Sequence, residues 1–462
     1  MKFKPRYYQT DCIEVGIEVL KSGRKEVIVV PCGGGKSYII AGISATIDDG
    51  NILVLQPSEE LCTQNISKIE DFGVFPSVFS SALGRKELGK LVYATPKSLS
   101  FEILKDCNIK YVIIDECDFG TKADSVIVNL LNKLKIKSCL GLTATPTNLD
   151  QTLDGAVTRV LTQVKNPFFN SIAKVVQIKE LVHNGFWSDI QYFNVYEESG
   201  EGILKLNSTG GDFTEQSLET FFDKMNLANK VSQFLSRLPE GEDALVFVPS
   251  IRNAEELQKL IPNSIIISSK TKKKDRKKLV EGFKDGTYSV CITVLAVAVG
   301  FDKVNLINIL DCTPTNSFRL NMQKIGRITR VHKDKKFGRI IDFAGNFKRH
   351  GDIRDVEIEF IENYGWCIFG KDGKLLTDVP MDSEKVFTKD FLKKGGKPKV
   401  EYVFGEHNPG DAVITFGANK GKKVKELYYR KRHYLRWLAN SDFDFKDKEL
   451  ERQVKLIYKK LA

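Results

Sequence analysis

Five short apolar segments recur in the first third of the chain, Val27–Val30, Ile52–Leu55, Leu91–Ala94, Tyr111–Ile114 and Cys139–Leu142, each ending at once in polar residues, Gly or Pro. Strict alternation would mark strands with one wet face. Continuous β-branched runs instead mark strands covered on both faces, and with helical spacing between them they predict a parallel α/β sheet. The pattern returns at Ala244–Val248, Ile265–Ile267, Val290–Val294, Leu306–Leu310 and Ile340–Phe343. Two tandem parallel-sheet α/β domains are therefore expected, and in such sheets ligands bind beyond the carboxyl ends of the strands.

At 462 residues the chain has room for roughly three domains, which leaves space for more than the tandem pair. The expected division is residues 1–165, a first α/β domain; 166–225, a linker or insertion; 226–347, the second α/β domain; 348–400, a connector; and 401–462, a small module rich in Tyr and Lys. Within the linker, Ser171–Val182 has helical spacing and Ser199–Gly211 reads as a Gly/Ser loop. The connector ends near a basic stretch, Lys393–Lys399.

The formal net charge of +11 is unevenly placed. Lys270–Lys278 holds seven basic residues against one acid, and Phe391–Arg436 holds twelve against four, so the rest of the chain is slightly acidic. Two basic patches, the first opening a helix that ends near Phe283, point to a polyanionic partner. The nine cysteines form no CxxC pair, and the five histidines show no metal-ligand spacing. Zinc sites and a disulfide framework are thus not expected, and a reducing cytoplasmic compartment is. Neither a signal region nor an apolar run of about 18 residues is present, so no membrane partner is expected.

After Val27–Val30 comes Pro31-Cys32-Gly33-Gly34-Gly35-Lys36-Ser37 and then an apolar helical run from Tyr38. Glycines let backbone N–H groups curl round a phosphate, Lys36 can reach its outer oxygens, and Ser37 can bind Mg²⁺. The strand Tyr111–Ile114 delivers Asp115-Glu116-Cys117-Asp118. A carboxylate at such a tip can anchor Mg²⁺ while its neighbour polarises a water, which suits ATP hydrolysis with Asp115 as metal anchor and Glu116 as base.

These residues resemble superfamily 2 helicases and translocases over roughly residues 3–347. PCGGGKS resembles motif I, although Val30 stands where the strict P-loop pattern has Gly, and DECD resembles motif II. Thr143-Ala144-Thr145 resembles motif III, and Gln323-Lys324-Ile325-Gly326-Arg327-Ile328-Thr329-Arg330 resembles motif VI, QxxGRxxR. The resemblance implies two RecA-like motor domains, ATP with Mg²⁺ as cofactors, and catalytic roles for Gln323 and for Arg327 and Arg330 as fingers on the γ-phosphate. It also implies nucleotide contacts from Arg6 and Gln9 and, in a motif V-like segment, from Gly300 and Asp302. Gln56, Pro57, Thr95, Pro96, Ser250 and Thr293 occupy places where the family touches a nucleic-acid backbone. Small hydroxyls and amides at strand ends suit such sequence-blind contacts.

Gln323, where DEAD-box RNA helicases have His, points away from that branch. Ile340–Asn346 with Arg349-His350-Gly351, and Glu180–Phe186, are similar to segments of RadD-like bacterial and phage repair helicases, but the cysteine zinc module common there is absent. Thr415–Lys423 followed by Tyr434–Leu438 resembles a small FGKxKGK-type module appended to some exonucleases and phage proteins. Its Lys420, Lys422 and Lys423 would attract phosphates, while Tyr428, Tyr429, Tyr434 and Trp437 would either stack on bases or form a tiny core. The resemblance implies a monomeric ATP-dependent DNA helicase, moving 3′ to 5′ along a single-stranded track at forks or branched junctions, with replication or repair proteins as partners. An RNA-remodelling helicase and an ATP-switched clamp remain as alternatives.

Overall fold

The computed structural model describes residues 4–121, 125–152, 155–164, 166–207, 210–294, 303–379, 386–398, 412–430, 432–440 and 445–458. The first domain is built on β1 (Lys25–Val29), β2 (Asn51–Leu55), β3 (Ser77–Ser80), β4 (Arg85–Lys86), β5 (Leu91–Ala94), β6 (Ile109–Asp115) and β7 (Ser138–Thr143). A hairpin, β8 (Thr147–Thr152) and β9 (Gly155–Val160), leads to β10 (Ser171–Val175). The sheet order is β10-β1-β7-β6-β2-β5-β3-β4, parallel apart from the β3–β4 edge pair. Val27, Ile28, Leu53, Val54, Val112, Ile113 and Leu140 are inaccessible to solvent, as continuous apolar strands require. Fully burying each such side chain is worth about 1.5–3 kcal/mol.

The second sheet is wholly parallel. It contains β11 (Asp189–Asn194), β12 (Ala244–Val248), β13 (Ser264–Ile267), β14 (Val290–Val294), β15 (Asn308–Asp311) and β16 (Phe337–Asp342), in the order β11-β16-β15-β12-β14-β13. The expected fold class is the one observed, two tandem RecA-like domains.

Two local expectations differ from the structure. Ser171–Val182 is helical only from Ile178 to His183; its first five residues form β10, since the open edge of β1 offers a ladder worth more than helical spacing. The strand expected at Leu306–Leu310 starts at Asn308 and runs to Asp311. Residues 166–225 also do more than link, supplying an edge strand to each sheet, β10 to the first and β11 to the second.

Beyond β16 the chain returns to the first domain. A hairpin, β17 (Glu357–Ile361) and β18 (Gly365–Phe369), is pinned by the Gln177 side chain, whose Nε2 donates to the Ile358 carbonyl at 2.7 Å and whose Oε1 accepts from its N–H at 3.2 Å. Arg159 pairs with Asp378 at 2.7 Å in the same strap. The C-terminal helices Val424–Arg430, Arg432–Asn440 and Lys448–Tyr458 close around Ile414, Leu427, Tyr428, Leu435, Leu438, Leu450 and Val454, a core of their own. Tyr428 belongs to that core, Tyr434 packs at its margin, and Trp437 is 56% exposed beside Tyr434.

Candidate active site

The strand order decides what meets at the carboxyl edge. β1, β7 and β6 are neighbours, so the Pro31–Ser37 loop, the Thr143–Thr145 turn and the Asp115–Asp118 turn emerge side by side. Gly33 and Gly35 adopt φ of 77° and 87°, open to glycine at little cost. A Cβ on Gly35 would lie 2.3 Å from Gln9 Nε2, and one on Gly34 would lie 2.7 Å from a Val30 methyl, so a side chain at either position would invade its packing. Lys36 then opens the Lys36–Thr46 helix, whose N-terminus faces the cleft.

Lys36 Nζ lies 3.1 Å from Glu116 Oε1. Burial works against its charge, but Glu116, Cys32 and Asp115 outweigh that and hold its ammonium above the ordinary lysine range. Glu116 has a φ of 47°, a left-handed conformation that costs a non-glycine residue about 1–3 kcal/mol. That strain is consistent with a carboxylate held at a working position. Asp115 is buried, and burial followed by the neighbouring Glu116 pushes its carboxyl up, against the pull of Lys36 and of Asn65, whose amide donates to Oδ2 at 2.8 Å.

The second domain closes the cleft with the Phe318–Ile325 helix and the turn after it. Gln323, Arg327 and Arg330 line a cleft of about 570 Å³ together with Gly33, Gly35, Lys36, Ser37, Asp115 and Glu116. The approach is tight: a Cβ on Gly326 would fall 2.3 Å from Cys32 Cβ. The Cys32 carbonyl accepts from Trp187 Nε1 at 2.8 Å and from Thr329 Oγ1 at 3.3 Å. Arg6 and Gln9 lie behind the loop. Gln9 Nε2 donates to the Gly34 carbonyl at 3.2 Å, and the Arg6 guanidinium lies 4.4 Å from the Phe186 ring centroid. Gly300 and Asp302 lie outside the described residues.

The anticipated nucleic-acid contacts are placed differently. Gln56 and Thr293 are inaccessible, and Thr95 and Ser250 are buried. Gln56 Oε1 accepts from Asn65, Thr95 Oγ1 bonds Ser80 and lies 2.9 Å from Ser98 Oγ, and Ser250 caps the Ile251–Leu260 helix. The side chains of Gln56, Thr95 and Ser250 are thus engaged internally, at the strand ends that they terminate. Pro57 lines the cleft, and Pro96 is half-buried at the start of a short 3-10 turn. Lys420 and Lys422 are exposed and Lys423 is half-buried at the surface of the C-terminal module. Asn65, Trp187 and Arg319 were not foreseen; the first and last carry no motif signal, and Trp187 was reachable only as the aromatic following Phe186.

Residues 2–148 match the model of the type III restriction enzyme res subunit, and residues 226–332 match that of the helicase conserved C-terminal domain. It carries the two motor domains of a superfamily 2 helicase. By class this helicase is an ATP-hydrolysing, nucleic-acid-dependent enzyme. It is 25% identical over 331 residues to a 51.5 kDa protein of Lactococcus phage (isolate 7-9), covering 70% of this chain and 67% of that protein. Against the protein named as helicase 22 in Sulfolobus islandicus filamentous virus the identity is 26% over 392 residues, covering 78% and 68%. The helicase spans about half of a Saccharomyces cerevisiae protein named as an ATP-dependent helicase, at 24% identity over 74% of its own length. Among solved structures, the HsdR-subunit fragment of a type I restriction enzyme from Vibrio vulnificus superposes with a TM-score of 0.54 at 18% identity, covering 75% of this chain and 65% of that one. The DNA-bound type ISP restriction-modification enzyme LlaBIII gives 0.53 at 15%, covering 74% and 28%. These two likenesses bear on the fold alone.

Proposed function

We propose that this helicase is an ATP-driven DNA translocase that moves 3′ to 5′ on one strand and acts as a monomer at forks or branched junctions in replication, recombination or repair. The observation that carries the reading is the shared cleft. Lys36 and Glu116 from one domain face Gln323, Arg327 and Arg330 from the other, so catalysis depends on closure. DNA is favoured by the restriction-enzyme character of the matching first-domain model. Phage and viral relatives support the cytoplasm of a bacterium or an infected host as its setting.

The chain's own groups suit the chemistry. The loop of residues 31–37 would cradle the phosphates, with Lys36 on their outer oxygens. Glu116 would orient and deprotonate the attacking water, and Arg327 and Arg330 would stabilise charge on the transferring phosphoryl group. The cramped glycine loop and the oxygen donors beside it fit a nucleotide with its metal. Mg²⁺, held by Ser37 and Asp115, would supply charge neutralisation on the phosphates. Nucleic acid would bias closure, and alternate closing and opening would step the motor.

The C-terminal module would add a second grip through Lys420, Lys422, Lys423 and the exposed Trp437. Within the basic run at residues 270–278, Lys273 and Arg276 pair with carboxylates of the first domain. The test is ATPase and strand displacement on forks, Holliday junctions and tailed duplexes, with matched RNA. Lys36→Ala and Glu116→Gln should each abolish turnover in a folded protein. Turnover by either variant overturns the site, preferential stimulation by RNA overturns the DNA reading, and hydrolysis without displacement or movement favours a clamp.

A further inference from the structure

Asp118 ends the acidic turn two residues beyond Glu116, and its side chain is fully buried. Its Oδ1 accepts from Thr143 Oγ1 at 2.8 Å and its Oδ2 from Thr145 Oγ1 at 3.1 Å, both hydroxyls belonging to the first domain. The counter-charge comes from across the cleft, where Arg319 Nε of the second domain lies 2.5 Å from Oδ2. Burial first, and Glu116 second, push the Asp118 carboxyl up, while Arg319 opposes them. Two neutral hydroxyls cannot replace that cation in a site where a lone buried charge is costly.

Arg319 is tied to Gln323 by helix geometry. It stands four residues before Gln323 on the Phe318–Ile325 helix, so both side chains project from one face, and both line the cleft. Its guanidinium also covers the Phe119 ring, with the carbon 5.4 Å from the centroid, and Phe119 remains 55% exposed. A movement that withdraws Gln323 from the cleft also withdraws the counter-charge from Asp118. Among the described residues the carboxylate then keeps Thr143 and Thr145, which lead from β7 into the β8–β9 hairpin.

We infer that Arg319 is a positioning residue: through Asp118 it reports closure of the second domain to the Thr143–Thr145 turn, separately from the fingers that face the nucleotide. This rests on the translocase reading and adds a coupling residue to it. Arg319 acts when the domains meet, so its loss should slow turnover in the closed state and leave nucleotide capture by the first domain intact.

The experiment compares full-length wild type, Arg319→Ala, Arg319→Lys, Asp118→Asn and the Arg319→Ala/Asp118→Asn double variant in steady-state ATPase with saturating single-stranded DNA. Arg319→Ala should lower kcat by at least about tenfold with the KM for ATP within about twofold, and Arg319→Lys should recover most of the loss. Asp118→Asn should match Arg319→Ala, and the double variant should be no worse than either, since the pair acts as a unit. If Asp118→Asn does not fold, Thr145→Val takes its place in the cycle and must show the same non-additivity. An unchanged kcat in Arg319→Ala, multiplying losses, or a raised KM with kcat retained overturns the inference. A wild-type chain that hydrolyses no ATP overturns the parent reading, whereas a working wild type with a fully active Arg319→Ala overturns only this one.

Discussion

Neutralising Lys273 and Arg276 together should open the motor by a modest, measurable amount. Lys273 Nζ lies 2.7 Å from Glu59 and 2.9 Å from the Ala82 carbonyl, and Arg276 lies 3.5 Å from Glu60, so the Lys273–Lys284 helix of the second domain is held by the first turn of the Glu59–Glu70 helix in the first. Lys273 is 65% exposed and Glu60 35%, so each pair belongs with partly exposed ion pairs worth ~0.2–1 kcal/mol. Together they come to ~0.5–2 kcal/mol, a factor of about 2 to 30 in the ratio of closed to open forms. The cations are the better targets, because Glu59 and Glu60 also oppose the positive end of their own helix and their removal would weaken it. Fluorophores at the exposed Lys105 and Lys259 positions would report the closed fraction by energy transfer, without nucleotide, from low to molar salt. Wild type should open as salt rises, and Lys273→Gln/Arg276→Gln should start more open and respond less. Equal closed fractions and equal salt responses in the two proteins would refute the latch.

Three further outcomes are expected. Burial lowers His350, whose Nε2 is 2.9 Å from the Thr315 carbonyl, from 6.5 to about 4. The folded form therefore binds its proton less readily than the unfolded chain; its contribution is complete above pH 6.5 and is lost at about 1.4 kcal/mol per unit as pH falls toward 4. His350→Gln should flatten the fall of Tm over that window, and an unchanged slope would count against the assignment. Asp311→Asn should strand the buried Lys324 ammonium, now held at 2.7 Å by both carboxylate oxygens, and destabilise the second domain by about 3–5 kcal/mol in urea melts. Reversing Lys420, Lys422 and Lys423 to Glu should reduce the slope of log affinity for DNA against log salt by about two or more, at ~0.7–0.9 per phosphate contact, without lowering the maximal ATPase; an unchanged slope would leave the patch without a role in binding.

The parts legible in the sequence are those whose physics is local. Strands buried on both faces announce themselves as apolar runs, and the Gly33–Gly35 turn announces itself because left-handed backbone close to a phosphate needs glycine. Lys36, Asp115 and Glu116 follow directly on such signals, whereas Gln323, Arg327 and Arg330 are reached only through the motif VI resemblance, and the structure brings all six into one cleft. Contacts made across the chain left no such trace. Asn65 reaches Asp115 from the middle of a helix, Arg319 reaches Asp118 from another domain, and Ser171–Val175 becomes a strand because β1 offers it an edge. Gln56 shows the converse: polar residues at strand ends suit phosphate contact and internal satisfaction equally, and only the structure shows that its buried Oε1 accepts from Asn65.

The same burial gives the Glu59–Glu70 helix a meaning that its sequence does not display. Its N-terminus holds the second domain through Glu59 and Glu60, and its middle holds the Asp115 carboxylate through Asn65, which also donates to Gln56 at 2.7 Å. These attachments lie on one rigid element, so displacing the helix start when the second domain swings must disturb the hydrogen bond that orients Asp115.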